Sequence, residues 1–343
     1  MAGRFAPRPR TTPALPTPRQ SRPATPPKTR LWVPDGDFEL GLVLGPLRRG
    51  PADPTFRIFQ DGSAVRATRT PEGPGTLRVR AGDGGVRGEA WGPGADWLLE
   101  RLPEMLGASD DPDAFVPRHR LVAAAQRRRP GLRLCRTGLV MESLIPSVLE
   151  QKVTTIEANR SWRHLVRKYG EPAPGPYGDS PLGRSGSRPD DRRDSRMHVM
   201  PDFRTWAMIP SWEWHKAGVD AKRSDTIARA VRVARRLEEA TTMEPELAAA
   251  RLQLIPGIGP WTSAEVLQRS NGAPDAVTVG DLHLPGIIGY ALAGRPDTDD
   301  AGMLELLEPY AGQRHRAVRL ILLTGRTPPR RAPRMPVGRI AHL

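Results

Sequence analysis

The sequence predicts an α+β fold, in which a small N-terminal antiparallel β-sheet domain precedes a mainly α-helical domain. Residues 31 to about 90 alternate short apolar runs with Asp-Gly and Gly-rich turn signals, as β-hairpins do. From about residue 111 the apolar residues recur at helical spacing. Pro- and Arg-rich stretches at both ends are typical of disordered tails. The predicted divisions are a tail (1–30), a small α+β domain (31–110), a helical domain (111–325) and a basic tail (326–343).

Three stretches of the first domain are predicted as strands: DFELGLVLGPL, TFRIFQDGSAVRATR and GTLRVRAGDGGVRGEAWG. Asp61-Gly62 and the glycine-rich run at 82–85 are predicted hairpin turns. GADWLLERLPEMLGA follows, with apolar residues at helical spacing and a proline, Pro103, inside the pattern. We expect a helix that is irregular at that proline.

The second domain begins with MESLIPSVLEQKVTTIEANRSWRHLVRKYG, which is predicted as a helix ended by Gly170. Residues 171–199 are rich in Pro, Gly, Ser and mixed charges, which predicts a flexible surface insertion. PDFRTWAMIPSWEWHKAGVD predicts two short helices, and Asp220 is the candidate cap of the helix after them. The predicted packing residues of the short helices are Trp206, Ile209, Trp212 and Trp214.

The stretch LIPGIGPWTSAEVL places Pro-Gly-Ile-Gly between two helix-forming segments, EPELAAARLQ and WTSAEVLQRS. Helix, glycine turn and helix form a helix-hairpin-helix arrangement, in which the glycines allow a tight turn and a close approach to a partner. The amides at the start of the second helix favour an anion. A phosphate on Gly257, Ile258 and Gly259 is therefore expected.

Asp281 lies about twenty residues beyond this hairpin, in DAVTVGDLHLPGIIGYAL. It follows a short β-like run, VTVG, and begins a helical pattern. Capping that helix is one role that the sequence allows for it, and acting as a catalytic acid is another. The two roles are compatible.

LIPGIGPWTSAEVL and VTVGDLHL together resemble the signature of the helix-hairpin-helix DNA glycosylase superfamily. The preceding sheet domain, the absence of a cysteine cluster and the motif SLIPSVLEQKV are most similar to its 3-methyladenine DNA glycosylase II branch. The resemblance covers about residues 31–325. It implies a helix-hairpin-helix glycosylase domain that removes damaged, alkylated purine bases from duplex DNA during base excision repair.

The resemblance implies roles for particular residues. Hairpin amides and Thr262 would grip the backbone of double-stranded DNA while the damaged nucleotide rotates into a pocket. Asp281 would stabilise the positive charge that develops on the sugar. No organic cofactor and no redox metal is expected, with a monovalent cation at the hairpin as the one ion that the family suggests. A monomer is expected.

Position 261 bears on the reaction type, because superfamily members that also cut the strand hold a nucleophilic lysine there. Trp261 cannot act in that way, so a monofunctional enzyme is favoured; the ring either packs in the helix or contacts the base. Lys152 matches the position of the family's wedge side chain, although the branch often has an apolar residue there, and it could instead pair with phosphate. Gln151 could contact the base or its orphaned partner, or serve a capping or surface role.

Aromatic side chains are candidates to stack on a flipped base, and each could equally belong to the core. Alkylated purines carry positive charge, which an aromatic ring face attracts. The seven histidines show no spacing typical of a zinc site, so no metal is predicted. The candidate rings are Trp206, Trp214 and Tyr310, with Trp212 and Tyr290 as further choices.

The formal net charge is +14, and the two predicted tails carry twelve positive residues and no acid. Such tails could attract phosphates or merely solubilise the chain. The single cysteine, Cys135, excludes an internal disulfide framework and a four-cysteine cluster. No signal-like or membrane-spanning apolar run occurs, so we expect a soluble cytoplasmic protein of bacterial type, acting at the nucleoid.

Two alternatives compete with the monofunctional enzyme. The first is a non-catalytic DNA-binding protein that keeps the glycosylase scaffold, which Lys152 at the wedge position favours and the aspartate of VTVGDLHL disfavours. The second is a strand-cleaving glycosylase/lyase that uses another amine.

Overall fold

The computed structural model describes residues 26–178 and 196–329. Most of both predicted tails and the middle of the predicted insertion lie outside these ranges. Within them, no helix combines the length and the apolar character that a membrane crossing requires.

The N-terminal domain is built on an antiparallel sheet whose strand order is β1-β5-β4-β3-β2. Both predicted hairpin turns are confirmed, and Gly62 adopts a φ of +75°. The sheet begins at Lys28, inside the predicted tail, because the first strand pairs with the last. The strands are β1 (Lys28–Trp32), β2 (Phe56–Ile58), β3 (Ala64–Thr70), β4 (Gly73–Gly82) and β5 (Gly85–Trp91).

The predicted strand in DFELGLVLGPL is wrong. This stretch forms a short helix, α1 (Leu40–Leu44), followed by a 3-10 turn. Leu40, Val43 and Leu44 are its buried residues, and their spacing of three and four places them on one face of a helix. Burial of that face against the sheet domain's core overrides the strand-like composition.

The helices from Arg120 onward confirm a mainly α-helical second domain. A break between α2 and α3 at Arg101 confirms the irregularity expected near Pro103. The helices are α2 (Ala95–Glu100), α3 (Leu102–Met105), α4 (Arg120–Arg128), α5 (Val140–Leu149), α6 (Thr155–Tyr169), α7 (Phe203–Met208), α8 (Ser211–Lys216), α9 (Ala221–Arg232), α10 (Ala234–Glu238), α11 (Pro245–Gln253), α12 (Pro260–Ser270), α13 (Leu284–Ala293), α14 (Asp300–Leu307) and α15 (Arg314–Leu323).

Helix α5 is the centre of the helical domain, and all of its residues except Glu142 are buried. The prediction of one continuous helix from Met141 to Tyr169 is wrong, because the chain breaks between α5 and α6. Lys152 lies in the break with a φ of +55°. Thr154 then starts α6 with a capping box that includes Glu157.

The predicted insertion at 171–199 is too wide. Its first residues form a short strand, β6 (Glu171–Pro172), which pairs with β7 (His198–Val199) near its end. Tyr177 is buried in a cluster with Trp91 and Met197. These contacts tie both flanks of the predicted insertion to the sheet domain.

The two short helices predicted before Asp220 are confirmed as α7 and α8. Trp206, Ile209 and Trp214 are buried as expected, whereas Trp212 is 62% exposed. The carboxylate of Asp220 accepts the backbone N–H of Arg223, which confirms the predicted cap of α9. The β-like run at 277–280 forms an irregular turn rather than a strand.

Glu238, the last residue of α10, caps the buried helix α5. Its two carboxylate oxygens accept the backbone N–H groups of Val140 and Met141 at 2.7 and 2.9 Å. Burial raises the pKa of Glu238 to about 7, although these two N–H groups lower it. The carboxyl of Glu238 therefore loses its proton at a higher pH in the folded protein than in the unfolded chain.

We predict that the pH dependence of stability carries the signature of Glu238. Between pH 4.5, its ordinary pKa, and about 7, the folded protein keeps a proton that the unfolded chain releases. The free energy of unfolding from this site then falls by up to about 1.4 kcal/mol per pH unit. Urea unfolding from pH 5 to 8 should show the free energy of unfolding of wild type falling relative to that of Glu238→Gln as pH rises, and levelling off above pH 7. A constant difference would contradict the assignment.

Candidate functional site

The predicted helix-hairpin-helix is formed by α11, the turn at 254–259 and α12. Gly257 adopts a φ of +99°, a conformation that side-chain-bearing residues rarely take. A Cβ atom built on it would lie 2.1 Å from Oγ1 of Thr226 on α9. The glycine is therefore required both by the turn and by its close packing against α9.

The hairpin presents free backbone N–H groups at the start of α12. Those of Gly257, Gly259, Trp261 and Thr262 donate to no acceptor in the described part of the chain. The N–H of Ile258 instead donates to a carbonyl oxygen of the same turn at 2.9 Å, and its side chain is buried. The predicted anion cradle therefore lacks Ile258 and gains the first turn of α12, where the helix dipole also favours negative charge.

Gln151 braces the hairpin from the chain break between α5 and α6. Its Nε2 atom donates to the carbonyl of Gly257 and to Oγ1 of Thr262, each at 2.9 Å. Thr262 is buried, so its hydroxyl belongs to this brace. The structure thus gives Gln151 and the Thr262 side chain a scaffolding role that the sequence did not indicate.

Lys152 is exposed immediately beyond this brace. Among the described residues it is the one non-glycine with a positive φ. Strained backbone of this kind is held in place by its surroundings and is common at functional sites. Lys152 directly follows Gln151, the residue that contacts the hairpin. Its wedge or phosphate role stays a prediction.

Asp281 is held from two sides. Its Oδ1 atom accepts the backbone N–H groups of His283 and Leu284 at 2.8 and 2.9 Å, so it fixes the start of α13, as the capping alternative predicted. Its Oδ2 atom accepts the indole N–H of Trp261 at 3.1 Å. The carboxylate of Asp281 is consequently oriented by the hairpin and by its own helix.

The hydrogen bond from Trp261 is a feature that sequence reasoning missed. The sequence suggests packing or base contact for this ring, whereas its N–H donates to Asp281. The pairing joins the second residue of α12 to a loop twenty positions later, a distance in sequence that carries no periodic signal. Asp300 supports the same loop from α14, where its carboxylate accepts the N–H of Gly280.

Asp281 lies at a cleft of about 510 Å³ between α1, α12, α13 and α15. This volume lies within the range of small-molecule sites and is ample for one nucleobase. Polar lining residues include His283, Arg269, His315 and Arg319. The sequence does not single out Arg269, His315 and Arg319, because positions within amphipathic helices do not distinguish a cleft-lining face from a core-facing one.

The cleft's polar groups differ in charge. Arg269 is paired with Glu265 at 2.7 Å, and that carboxylate raises the pKa of Arg269 against the effect of burial. Burial and the charges of Arg319, Arg269 and Arg316 lower the pKa of His315 well below its usual range. His315 is therefore neutral at physiological pH.

The three aromatic residues predicted to stack on a base lie in the core. Trp206 and Trp214 are buried and stack on each other with ring centroids 5.7 Å apart. Tyr310 is also buried, and its hydroxyl oxygen accepts the backbone N–H groups of Arg118 and His119. None of the three lines the cleft. Core packing accounts for all of them, which corrects the predicted pocket role.

The described residues contain no group of three or more His, Cys, Asp or Glu side chains placed to hold a metal ion. For the predicted monovalent cation, the relevant atoms are main-chain carbonyls of the hairpin. Those of Ile255, Pro256 and Gly257 each accept a hydrogen bond from the protein. A carbonyl keeps a second lone pair in such a bond, so the cation stays a prediction.

Comparison with known proteins gives a sequence relative and several structural ones. No protein family model matches the chain. A probable bifunctional transcriptional activator/DNA repair enzyme AlkA from Mycobacterium tuberculosis is 29% identical over 186 residues, which are 54% of this chain. The matched region is about a third of that relative's length, 32%.

Solved structures match over more of the chain. The 3-methyladenine DNA glycosylase from Archaeoglobus fulgidus has a TM-score of 0.65 at 15% identity, covering 87% of this chain and 98% of that one. An 8-oxoguanine glycosylase/lyase from Clostridium acetobutylicum, in complex with double-stranded DNA, has a TM-score of 0.62 at 13% identity, covering 84% and 92%. The predicted resemblance is thus confirmed at the level of the fold: the chain has the fold of these DNA glycosylases, and the AlkA relative supports the 3-methyladenine branch.

Proposed function

We propose that this protein is a monofunctional DNA glycosylase, which hydrolyses the N-glycosidic bond of a damaged base in duplex DNA during base excision repair. The observation that carries the proposal is the placement of Asp281. Its carboxylate faces a base-sized cleft while hydrogen-bonded to Trp261, a residue of the hairpin's second helix. A phosphate-binding turn and a carboxylate are thereby held in one rigid unit.

The hairpin supplies the DNA-binding half of this unit. The free N–H groups of Gly257, Gly259, Trp261 and Thr262 lie at a helix N-terminus, a common site for phosphate binding. Double-stranded DNA is the proposed partner, with the damaged nucleotide rotated out of the stack into the cleft. Lys152, exposed beyond Gln151, is the proposed contact to the gap or to a flanking phosphate.

Asp281 supplies the chemistry. As the bond between the sugar C1′ and the base nitrogen breaks, the electron pair leaves with the base and positive charge grows on the sugar. A fixed carboxylate stabilises that charge without having to reorganise. The oxygen of a water molecule then bonds to C1′, and the proton it loses balances the charge taken by the departing base, with Asp281 placed to orient the water.

Trp261 supports the assignment as monofunctional. A strand-cleaving glycosylase needs an amine that forms a Schiff base with the sugar. The indole nitrogen has no free lone pair for such an attack, and its N–H is already used by Asp281. Water is therefore the proposed nucleophile.

Which damaged base the protein removes is a separate question, because the choice depends on the cleft side chains that contact the base. The sequence resemblance favours an alkylated purine, and the relative from Mycobacterium tuberculosis is described as a DNA repair enzyme. That expectation rests on likeness alone, and the residues that line the cleft provide an independent criterion.

We predict that Asp281→Asn abolishes base release and leaves DNA binding intact. The variant loses the negative charge and turns an N–H donor toward the indole of Trp261, while the hairpin N–H groups are untouched. Loss of one transition-state interaction of this kind costs about a hundredfold or more in rate. Single-turnover release from duplexes with hypoxanthine, uracil, 8-oxoguanine or 7-methylguanine measures the rate, and fluorescence anisotropy measures the Kd.

Asp297→Asn is the matched control, since Asp297 is exposed and lies outside the cleft. It should release base at the wild-type rate. Unchanged activity of Asp281→Asn would remove that residue from the mechanism. A wild-type protein that binds duplex DNA but releases none of the four bases would favour the non-catalytic alternative.

We predict that Trp261→Phe slows base release about tenfold without weakening DNA binding. Phenylalanine keeps an aromatic ring but lacks the N–H that orients Asp281. A hydrogen bond to a charged group contributes about 1.5–3 kcal/mol, and part of that loss should appear in the rate. Trp212→Phe changes an exposed ring outside the site and serves as control. A wild-type rate for Trp261→Phe would show that the indole does not position the carboxylate.

We predict that borohydride traps no covalent adduct between the wild-type protein and DNA carrying its preferred lesion. A Schiff base can form only where an amine reaches the sugar, and Trp261 offers none. Gel analysis of the reduced reaction provides the measurement, with a known glycosylase/lyase on a matched duplex as positive control. A trapped adduct would instead establish the strand-cleaving alternative.

A further inference from the structure

The cleft is lined by an arginine, Arg319, that has no ion-pair partner among the described residues. Of the three neighbouring arginines on α12 and α15, Arg269 pairs with Glu265 and Arg316 pairs with Asp110. Arg319 forms no ion pair within the described residues. Its one hydrogen bond runs from Nη2 to the carbonyl of Leu42 on α1, at 2.9 Å. Since a guanidinium has five N–H donors, most of those on Arg319 have no acceptor among the described residues.

The surroundings of Arg319 oppose additional positive charge. Burial, together with the charges of Arg269 and Arg316, lowers the pKa of Arg319 from its usual value. An arginine nevertheless stays protonated at neutral pH. A cationic group placed beside Arg319 would add a further repulsion, although the carboxylates of Asp281 and Glu265 line the same cleft, whereas a carbonyl oxygen would accept the unused N–H groups.

His315 provides a second and independent indication of a polar ligand. It lies one helical turn before Arg319 on α15, and both residues line the cleft. Its Nδ1 atom is buried and has no hydrogen-bond partner in the described structure. Leaving such an atom unpaired costs free energy, which a bound group with hydrogen-bonding capacity would recover.

The lining of the cleft also contains no aromatic side chain among the described residues, that is, no Phe, Tyr or Trp. Trp261 borders the cleft through its hydrogen bond to Asp281, but the lining itself offers a cation no aromatic face to offset the repulsion from Arg319. The rings that the sequence predicts for that role, Trp206, Trp214 and Tyr310, are buried in the core.

We propose that the cleft selects a neutral base that has gained a carbonyl oxygen through deamination or oxidation, and that Arg319 donates to that oxygen. Hypoxanthine, uracil and 8-oxoguanine belong to this class, and the cationic 7-methylguanine does not. The proposal rests on the proposed glycosylase function and names its substrate class. It replaces the alkylated purine that the sequence resemblance implies.

The test compares single-turnover base release by the full-length protein from duplexes that differ only in the damaged base. Wild type should release at least one of hypoxanthine, uracil and 8-oxoguanine about tenfold or more faster than 7-methylguanine. Arg319→Met removes the charge and the N–H donors at similar length. It should lower the rate for the neutral bases about tenfold and leave that for 7-methylguanine unchanged or raised.

Two further variants keep the test decisive. Arg319→Lys retains the charge but loses the planar fork, so it should still reject 7-methylguanine while releasing neutral bases more slowly. Arg87→Met removes an exposed arginine of the sheet domain and should change neither rate. Thermal unfolding midpoints identify any variant whose loss of activity reflects misfolding. If Arg319→Met is misfolded, the rates of Arg319→Lys for the neutral bases and for 7-methylguanine decide the test.

Contrary outcomes are distinct from a failure of the proposed function. Faster release of 7-methylguanine by wild type would overturn the inference while confirming a glycosylase. An equal loss for every lesion in Arg319→Met, with a weaker Kd and a shallower salt dependence, would assign Arg319 to a phosphate. If no base is released, the proposed function fails, and equal affinities for hypoxanthine and 7-methylguanine duplexes would then overturn the inference as well.

Discussion

The hydrogen bond between the indole of Trp261 and the carboxylate of Asp281 is the interaction on which the rest of the site depends. Trp261 belongs to the first turn of α12, where the hairpin presents its free N–H groups. Asp281 begins α13 and faces the cleft. One contact therefore fixes the distance between the group that would hold a phosphate and the group that would act on the attached sugar.

Other contacts make this unit rigid. Gly257 packs against Thr226 so closely that no side chain fits, and Gln151 ties the same turn to the end of the buried helix α5. Helix α1 of the sheet domain closes the cleft, where Leu42 accepts a hydrogen bond from Arg319. The small domain thus contributes a wall to the cleft, a role that its composition alone does not indicate.

The parts of the site that the sequence predicted are those with local causes. The glycine turn at 257–259 and the capping aspartate Asp281 follow from backbone conformation and from short-range hydrogen bonds. The missed or mistaken parts depend on tertiary packing. Trp206 and Tyr310 are aromatic, as base-stacking residues are, but they are buried in the core. Segment α1 is a helix because one of its faces is covered. Arg319 lines the cleft because helices that are distant in sequence come together there.

The most direct test of this account is a crystal structure of the protein bound to a duplex that contains a stable abasic-site analogue. The account predicts a phosphate oxygen within hydrogen-bonding distance of the Gly257 and Gly259 N–H groups, with the sugar's C1′ facing the Asp281 carboxylate. A complex in which the DNA lies away from the hairpin, or in which the abasic sugar is directed away from Asp281, would contradict it.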